Sequence, residues 1–193
     1  MKIILVALAA LIAVALAGCF PPSTSHPVGL TAGLKADPSL VGTWKGAGDD
    51  GKITYVHFLR QGDGSFSILL VATGDKAEDW SLVTGTTATL ARHHFLNARL
   101  VSSNGKPEIG EPPGSMPLLY TLDAKGALTM RLMDEKVVKA LIKAGKIKGD
   151  VGQGDMGDAA ITADSRALDA FMQSPAALAA FSSKPLFVLH RAD

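Results

Sequence analysis

The sequence predicts a mainly β domain: a β-barrel of about eight antiparallel strands, with two or three short helices inserted before the last strand. Between Ser39 and Met133, short runs of alternating apolar and polar residues are divided by glycine-containing turns. After Asp134 the apolar period becomes helical, and one more alternating run, Leu186–Arg191, ends the chain. We expect a closed barrel because closure leaves fewer unpaired strand edges.

Each expected strand has one apolar face, as alternation along a strand requires. The eight expected strands are Leu40–Gly46, Lys52–Arg60, Ser65–Thr73, Asp79–Leu90, His93–Val101, Leu118–Asp123, Ala127–Met133 and Leu186–Arg191. Asp49-Asp50-Gly51 is a suitable hairpin turn between the first two. Ser102–Pro117 is expected to be a long loop because its prolines disfavour regular structure.

Three helix starts follow the seventh strand. Asp134 is suited to cap a first helix, which Gly145 would end. Asp164 is suited to cap a second, and Ser174-Pro175 places proline at the favoured first position of a third. The apolar stripes of these helices are expected to cover the core or, alternatively, to form a groove for a partner.

The beginning of the chain has the layout of an export signal. Lys2 is followed by fifteen apolar residues, from Ile3 to Ala17. The next residues complete Leu16-Ala17-Gly18-Cys19, which resembles the lipobox of bacterial lipoproteins. This resemblance implies that residues 1–18 are a cleaved signal peptide and that Cys19, the only cysteine, is acylated and becomes the N-terminus.

The resemblance also implies a location. Members of the family carry three acyl chains, palmitate among them, and several chains bind a membrane firmly. Phe20 occupies the position at which aspartate would favour the inner membrane, so we expect an outer-membrane anchor, on the periplasmic face. Two alternatives stay open: an ordinary cleaved signal, or a spanning helix, although Ile3–Phe20 is shorter than the usual span of about 20 residues.

Residues 19–38 are expected to be a lipidated flexible tether. They contain several prolines, serines and glycines and few large apolar groups, so they bury little surface to offset the entropy of ordering. A docked Val28-Gly29-Leu30 patch is the alternative. Residues 39–193 are expected to form a single barrel-like domain.

The composition excludes several function classes. The chain has 19 basic and 18 acidic side chains, and removing Lys2 with the signal balances them. Such a balance gives no basic field for nucleic acid, so no nucleic-acid partner is expected. Acylation of Cys19 would leave no thiol for a disulfide or a nucleophile.

Gly42-Thr43-Trp44 resembles the first-strand signature of lipocalin-type (calycin) barrels. The resemblance implies that Trp44 closes one barrel end and that Arg191, near the end of the last strand, packs across its ring, a contact worth about 0.5–2 kcal/mol. The alternative is that Trp44 is only a core residue of another β domain. An interior ligand would contact the residues expected to line the cavity, which are Phe66, Ile68, Leu70, Tyr120 and Met130.

The sequence patterns of metal sites and of common catalytic sites are mostly absent. Asp150, Asp155 and Asp158 lie among glycines but lack the spacing of an EF-hand. The four histidines on expected strands, His57, His93, His94 and His190, lack the spacing of metal ligands. The sequence has neither a Gly-x-Ser-x-Gly elbow nor a phosphate-binding loop. We therefore expect no metal, no cofactor and no enzymatic activity.

Five lysines, Lys136, Lys139, Lys143, Lys146 and Lys148, make one region locally basic. They indicate a solvated helix face or, alternatively, contact with anionic lipid or cell-wall polymer. The chain as a whole favours a monomeric, membrane-anchored protein that binds a small apolar molecule or lipid. The alternative function is a protein-interaction module, such as an inhibitor or an assembly factor of the envelope, with a packed interior.

Overall fold

A computed structural model of the chain describes residues 21–47, 52–73, 79–108, 114–152 and 158–192. The signal segment, Cys19, the Asp49-Asp50-Gly51 turn and Asp155 lie outside these ranges, so the predictions made for them stay predictions. Within the described ranges, no helix combines the length and apolar character that crossing a membrane requires.

The described part of the chain is built mainly from strands. They are β1 (Ser23–Thr24), β2 (Gly42–Ala47), β3 (Ile53–Arg60), β4 (Phe66–Ala72), β5 (Asp79–Leu90), β6 (His93–Ser103), β7 (Lys106–Pro107), β8 (Met116–Leu122), β9 (Leu128–Leu132), β10 (Gly149–Val151), β11 (Ala159–Ile161) and β12 (Phe187–Arg191). Eight of them pair antiparallel in the order β2-β3-β4-β5-β6-β8-β9-β12. The last strand, β12, also pairs with the first, β2, which closes the sheet into a barrel. The predicted closed barrel of eight strands is therefore confirmed.

The barrel core follows from the alternation of each strand. Phe58 of β3 and Phe66 of β4 point inward and meet edge to face, with ring centroids 5.5 Å apart. The barrel interior contains a cluster of buried, mainly apolar side chains, which are Leu40, Trp44, Val56, Phe58, Phe66, Ile68, Val83, Leu96, Ala98, Leu118, Tyr120, Leu128, Met130 and Leu189. An eight-stranded barrel has an interior just wide enough for side chains to fill it or for one small ligand.

Three short helices lie between β9 and β12, as predicted. They are α1 (Glu135–Lys143), α2 (Ser165–Met172) and α3 (Pro175–Ala179). Asp134, Asp164 and Ser174 are their N-caps, and each side chain accepts a hydrogen bond from a backbone amide of the first turn. Gly145 follows α1 with φ of 65°, the left-handed conformation in which glycine ends many helices.

A second apolar cluster joins these helices to the outer wall of the barrel. It contains Phe95 and Leu90 of the wall and Val138, Leu168, Phe171 and Phe181 of the helical region. A small sheet of order β1-β11-β10 completes this layer. The sequence does not predict β10 and β11, because strands of three residues are too short to show an alternating pattern.

The expectation of a flexible tether is wrong for residues 23–37, which we name the strap. The strap begins as β1, parallel to β11, and Val28 within it is fully buried. The strap is ordered because the Val28 side chain packs against the outer wall of the barrel. The backbone amide and carbonyl of Val28 also form hydrogen bonds with the side chain of Asn97. The alternative of a docked patch around Val28 describes this segment better.

The expected loop Ser102–Pro117 is also partly regular. β6 extends to Ser103 and turns back into β7 through Asn104 and Gly105, which have φ of 49° and 77°. Asn-Gly is the preferred pair for such a two-residue hairpin turn. Pro107 is tolerated because β7 is an edge strand.

Candidate functional site

The two ends of the barrel differ, and this difference defines the candidate site. At the end where β2 begins and β12 ends, the chain crosses as a 3-10 turn, Pro38–Leu40. Leu40 is fully buried in the barrel core, and its carbonyl accepts a hydrogen bond of 2.7 Å from the indole nitrogen of Trp44. We call this the plugged end.

Arg191 lies over Trp44 at the plugged end. Its guanidinium carbon is 4.1 Å from the centroid of the Trp44 ring. The guanidinium also donates hydrogen bonds to the carbonyls of Ser39, at 2.6 Å, and of Val41. Gly42 leaves room for it, because a Cβ there would lie 2.6 Å from Nη1 of Arg191 and the φ of Gly42 is +117°.

A polar pair closes the same end from the side. The hydroxyl of Tyr120 donates a hydrogen bond of 2.7 Å to the Asp37 carboxylate. Burial opposes ionisation of Asp37, but hydrogen bonds from Tyr120 and Ser39 outweigh it and hold the pKa of this carboxyl below its usual range. Burial, together with the bond to Asp37, raises the pKa of Tyr120 far above its usual range. The pair therefore favours the charge-assisted hydrogen bond between an ionised Asp37 and a neutral Tyr120.

The opposite end of the barrel, which we call the mouth, is lined by apolar side chains that are only partly buried. They come from five strands and are Leu70, Leu100, Met116, Leu132 and Phe187. Each points into the barrel, because it lies two residues along its strand from a buried core residue such as Ile68 or Leu189. The mouth is therefore an apolar surface that the core packing leaves accessible.

One polar atom lies among these side chains without a partner. Ser81 pairs with Leu70 across β4 and β5 and with Ser103 across β5 and β6, so it has the inward phase. It is 3% exposed, and its hydroxyl makes no hydrogen bond within the described residues. A buried hydroxyl without a partner is costly, and a ligand oxygen or nitrogen could satisfy it.

The predicted ligand contacts divide between the two halves of the barrel. Phe66, Ile68, Tyr120 and Met130 are buried in its packed part, and Tyr120 is committed to Asp37. Of the five predicted residues, only Leu70 reaches the mouth. All five were expected to line the interior, but the height of a residue along the barrel depends on the stagger between strands, which only the register gives.

A cleft of about 530 Å³ lies outside the barrel, between the segment that follows α1 and the helix α2. Ile147, Ala163 and Phe171 are apolar residues that line it, and Lys146 and Lys148 also line it. The basic region is partly neutralised, since Lys139 pairs with Glu135 at 2.5 Å and Asp164 also lines the cleft.

Two of the histidines on the barrel strands bond to threonine side chains. His57 shares a hydrogen bond of 2.9 Å with Thr43, and His94 one of 3.0 Å with Thr89. In the part of the chain that the structure describes, no three His, Cys, Asp or Glu side chains come together as a metal site requires.

The outer wall of β3, β4 and β5 carries a second apolar surface. Tyr55, Val71 and Trp80 form one row across the three strands, and Leu69 and Leu82 are neighbours in the next. Trp80 is 36% exposed, and Leu59, near the end of β3, is 56% exposed. We call this surface the outer apolar face; apolar patches of this kind mark contacts with other molecules.

These two surfaces, the mouth and the outer apolar face, are the candidate sites. Comparisons with protein-family models, with curated proteins and with solved structures gave no match to this chain.

Proposed function

We propose that this protein is a lipid-anchored, monomeric protein of the outer membrane, and that its barrel binds a small apolar molecule or lipid at the mouth without catalysis. The observation that carries the binding proposal is the mouth itself: interior apolar side chains from five strands are partly exposed there, around the unpartnered hydroxyl of Ser81. Ligand sites combine apolar walls with a few such polar groups. The ligand class that fits is an acyl chain or similar apolar body with one hydrogen-bonding group.

A fluorescent fatty acid tests this proposal. We expect saturable binding by the wild-type domain, and a loss of at least about tenfold in affinity for Leu100→Gln, since burying a leucine contributes about 1.5–3 kcal/mol. Leu59→Gln, on the outer apolar face, is the matched control and should bind as the wild type does. Thermal melting by circular dichroism checks that both variants fold. Equal affinity of the two folded variants would refute the site.

The anchor is proposed from the lipobox resemblance of Leu16-Ala17-Gly18-Cys19. Expression of the full chain in a bacterium that processes lipoproteins should give a mature product that begins at Cys19 and carries the mass of fatty acyl groups. Cys19→Ser should abolish that increment and release the protein from the membrane fraction. An unchanged membrane fraction would show that acylation does not hold the protein.

The second candidate function is protein interaction, which the outer apolar face favours. This surface lies on the far side of the barrel wall from the side chains of the packed core, and Leu59 is its most exposed apolar residue. A partner from the envelope should be captured by the wild type and by Leu100→Gln but lost with Leu59→Gln. Loss of partner capture in Leu59→Gln but not in Leu100→Gln is the opposite of the pattern expected for fatty-acid binding. The two variants therefore distinguish a partner surface from a ligand site.

A further inference from the structure

We propose that the strap fixes the barrel with its mouth toward the membrane, so that the partner of the mouth and its rim is the lipid surface. This inference rests on the proposed acylation of Cys19. It goes beyond an anchor, because an anchored domain on a flexible tether would have no fixed orientation.

The path of the strap connects the two ends of the barrel. Thr24 exchanges backbone hydrogen bonds of 2.8 and 3.0 Å with Ser115, the residue before β8, at the mouth. Farther along, Lys35 exchanges backbone bonds of 2.9 and 2.7 Å with Thr87, near the plugged end. The chain therefore enters the fold at the mouth and leaves the strap at the opposite end.

The strap is held by buried groups as well as by backbone pairing. The carboxylate of Asp169, 3% exposed in α2, accepts bonds from the amides of Gly29, at 2.6 Å, and Thr31, at 3.0 Å, and from the Thr31 hydroxyl. Asn97 binds both the amide and the carbonyl of Val28, at 2.7 and 2.9 Å. These contacts prevent the strap from acting as a spacer.

The remaining length of chain sets the distance to the membrane. Cys19 precedes Ser23, the first residue of β1, by four positions. Even a fully extended chain of four residues spans only about 14 Å. An acyl group on Cys19 therefore holds the mouth within a short distance of the lipid headgroups, while the plugged end points away.

The rim of the mouth carries a residue suited to that position. Trp80 is the second residue of β5, is 36% exposed, and lies close to Gly105 in the β6–β7 hairpin. Tryptophan is favoured where an apolar surface meets water, as at a membrane interface. The contact with lipid is therefore expected through apolar groups, without a requirement for anionic headgroups.

The two tryptophans make the test direct, because Trp44 is 1% exposed at the plugged end and Trp80 lies at the rim of the mouth. Acylated full-length product is reconstituted in phosphatidylcholine vesicles with brominated acyl chains, which quench nearby indoles. We expect at least about a third of the emission to be quenched in the wild type, and almost none in Trp80→Phe, which retains only Trp44. Equal quenching of both proteins, or none in the wild type, would overturn the orientation.

A variant with twelve Gly-Ser residues inserted after Phe20 is the matched control, because it keeps the anchor and the strap but lengthens the link. Its quenching should fall to the level of Trp80→Phe. Persistence of full quenching would overturn the role of the short link. Vesicle flotation and intact mass show whether acylation has occurred, and fatty-acid binding by the soluble domain tests the mouth separately, so failure of the proposed function is distinguishable from failure of the orientation.

Discussion

The carboxylate of Asp169 lies 2.6 Å from the backbone amide of Gly29, although 140 positions separate them in the chain. This bond joins the beginning of the described chain to the helical region near its end. Gly29 is suited to the site, because its φ is +84° and a Cβ there would lie 2.1 Å from the Cβ of Ala88. The relationship explains how a segment without long regular secondary structure is ordered.

Replacing Asp169 with alanine should release the strap. The change leaves buried amides without an acceptor, and we expect a loss of about 2–4 kcal/mol in the free energy of unfolding by urea. Hydrogen exchange at the amides of Gly29 and Thr31 should accelerate. Asp164→Ala is the matched control in the same helix: it removes an N-cap and should cost about 1 kcal/mol without affecting those two amides. Unchanged exchange in Asp169→Ala would contradict the role given to this carboxylate.

Arg191→Ala should destabilise the plugged end. It removes the contact with the Trp44 ring and the donors to two carbonyls, and the expected loss is about 2–3 kcal/mol. Arg191→Lys keeps the charge but not the planar fork, so it should recover only part of the loss. Chemical denaturation monitored by Trp44 fluorescence measures both, and a lysine variant as stable as the wild type would argue against the fork geometry.

Gly42→Ala tests the space beneath the same guanidinium. The substitution places a Cβ 2.6 Å from Nη1 of Arg191 at a φ of +117°, so we expect a loss of about 1–3 kcal/mol. Gly62→Ala is the control, since nothing lies within 4 Å of its Cβ position. The Gly42→Ala variant should have a clearly lower thermal midpoint than the Gly62→Ala variant. Equal midpoints would mean that Arg191 moves aside without loss of stability.

The Asp37–Tyr120 bond predicts a pH dependence with two limits. The pKa of Asp37 is lowered by folding, so its contribution is present above the unfolded pKa near 3.8 and is lost as the pH falls through the lower folded pKa. The pKa of Tyr120 is raised, so the neutral hydroxyl stabilises the fold below the unfolded pKa near 10.0, and this contribution declines as the pH rises above it.

Tyr120→Phe isolates the contribution of the Asp37–Tyr120 hydrogen bond to stability from the contributions of other carboxyl groups. At pH 7 the variant should lose about 1.5–3 kcal/mol, the usual value of a hydrogen bond to a charged group. The difference from the wild type should shrink below pH 4 and above pH 10, because the carboxyl or the phenol then changes its charge in the unfolded chain. Urea titrations from pH 3 to 11 measure it, and a difference independent of pH would exclude the ionised pair.

Ser81→Ala should separate folding from binding. Removing a buried hydroxyl that lacks a partner should leave the free energy of unfolding unchanged or raise it by about 1 kcal/mol. Affinity for a fatty acid should fall severalfold if the hydroxyl bonds to the ligand. Ser67→Ala, on the outer side of β4, is the control and should alter neither property; weaker folding without weaker binding in Ser81→Ala would remove Ser81 from the site.

The sequence by itself determined the local structure of this protein. Alternation predicted every barrel strand, with bounds that differ by at most two residues, because period two is a property of each strand alone. Asp134, Asp164 and Ser174 likewise predicted the helix starts, since a cap acts within one turn. The resemblance around Trp44 implied a contact with Arg191, and the structure places the two side chains together.

The tertiary structure alone decided which interior residues reach the mouth and whether the strap is ordered. Stagger between strands places Phe66 in the packed core and Leu100 at the mouth, and nothing in either strand's own pattern carries that information. The strap has the composition of a flexible linker, but Asp169 and Asn97 supply its hydrogen-bond partners from distant parts of the chain. Ordering of such a segment depends on contacts of long sequence separation, which composition does not record.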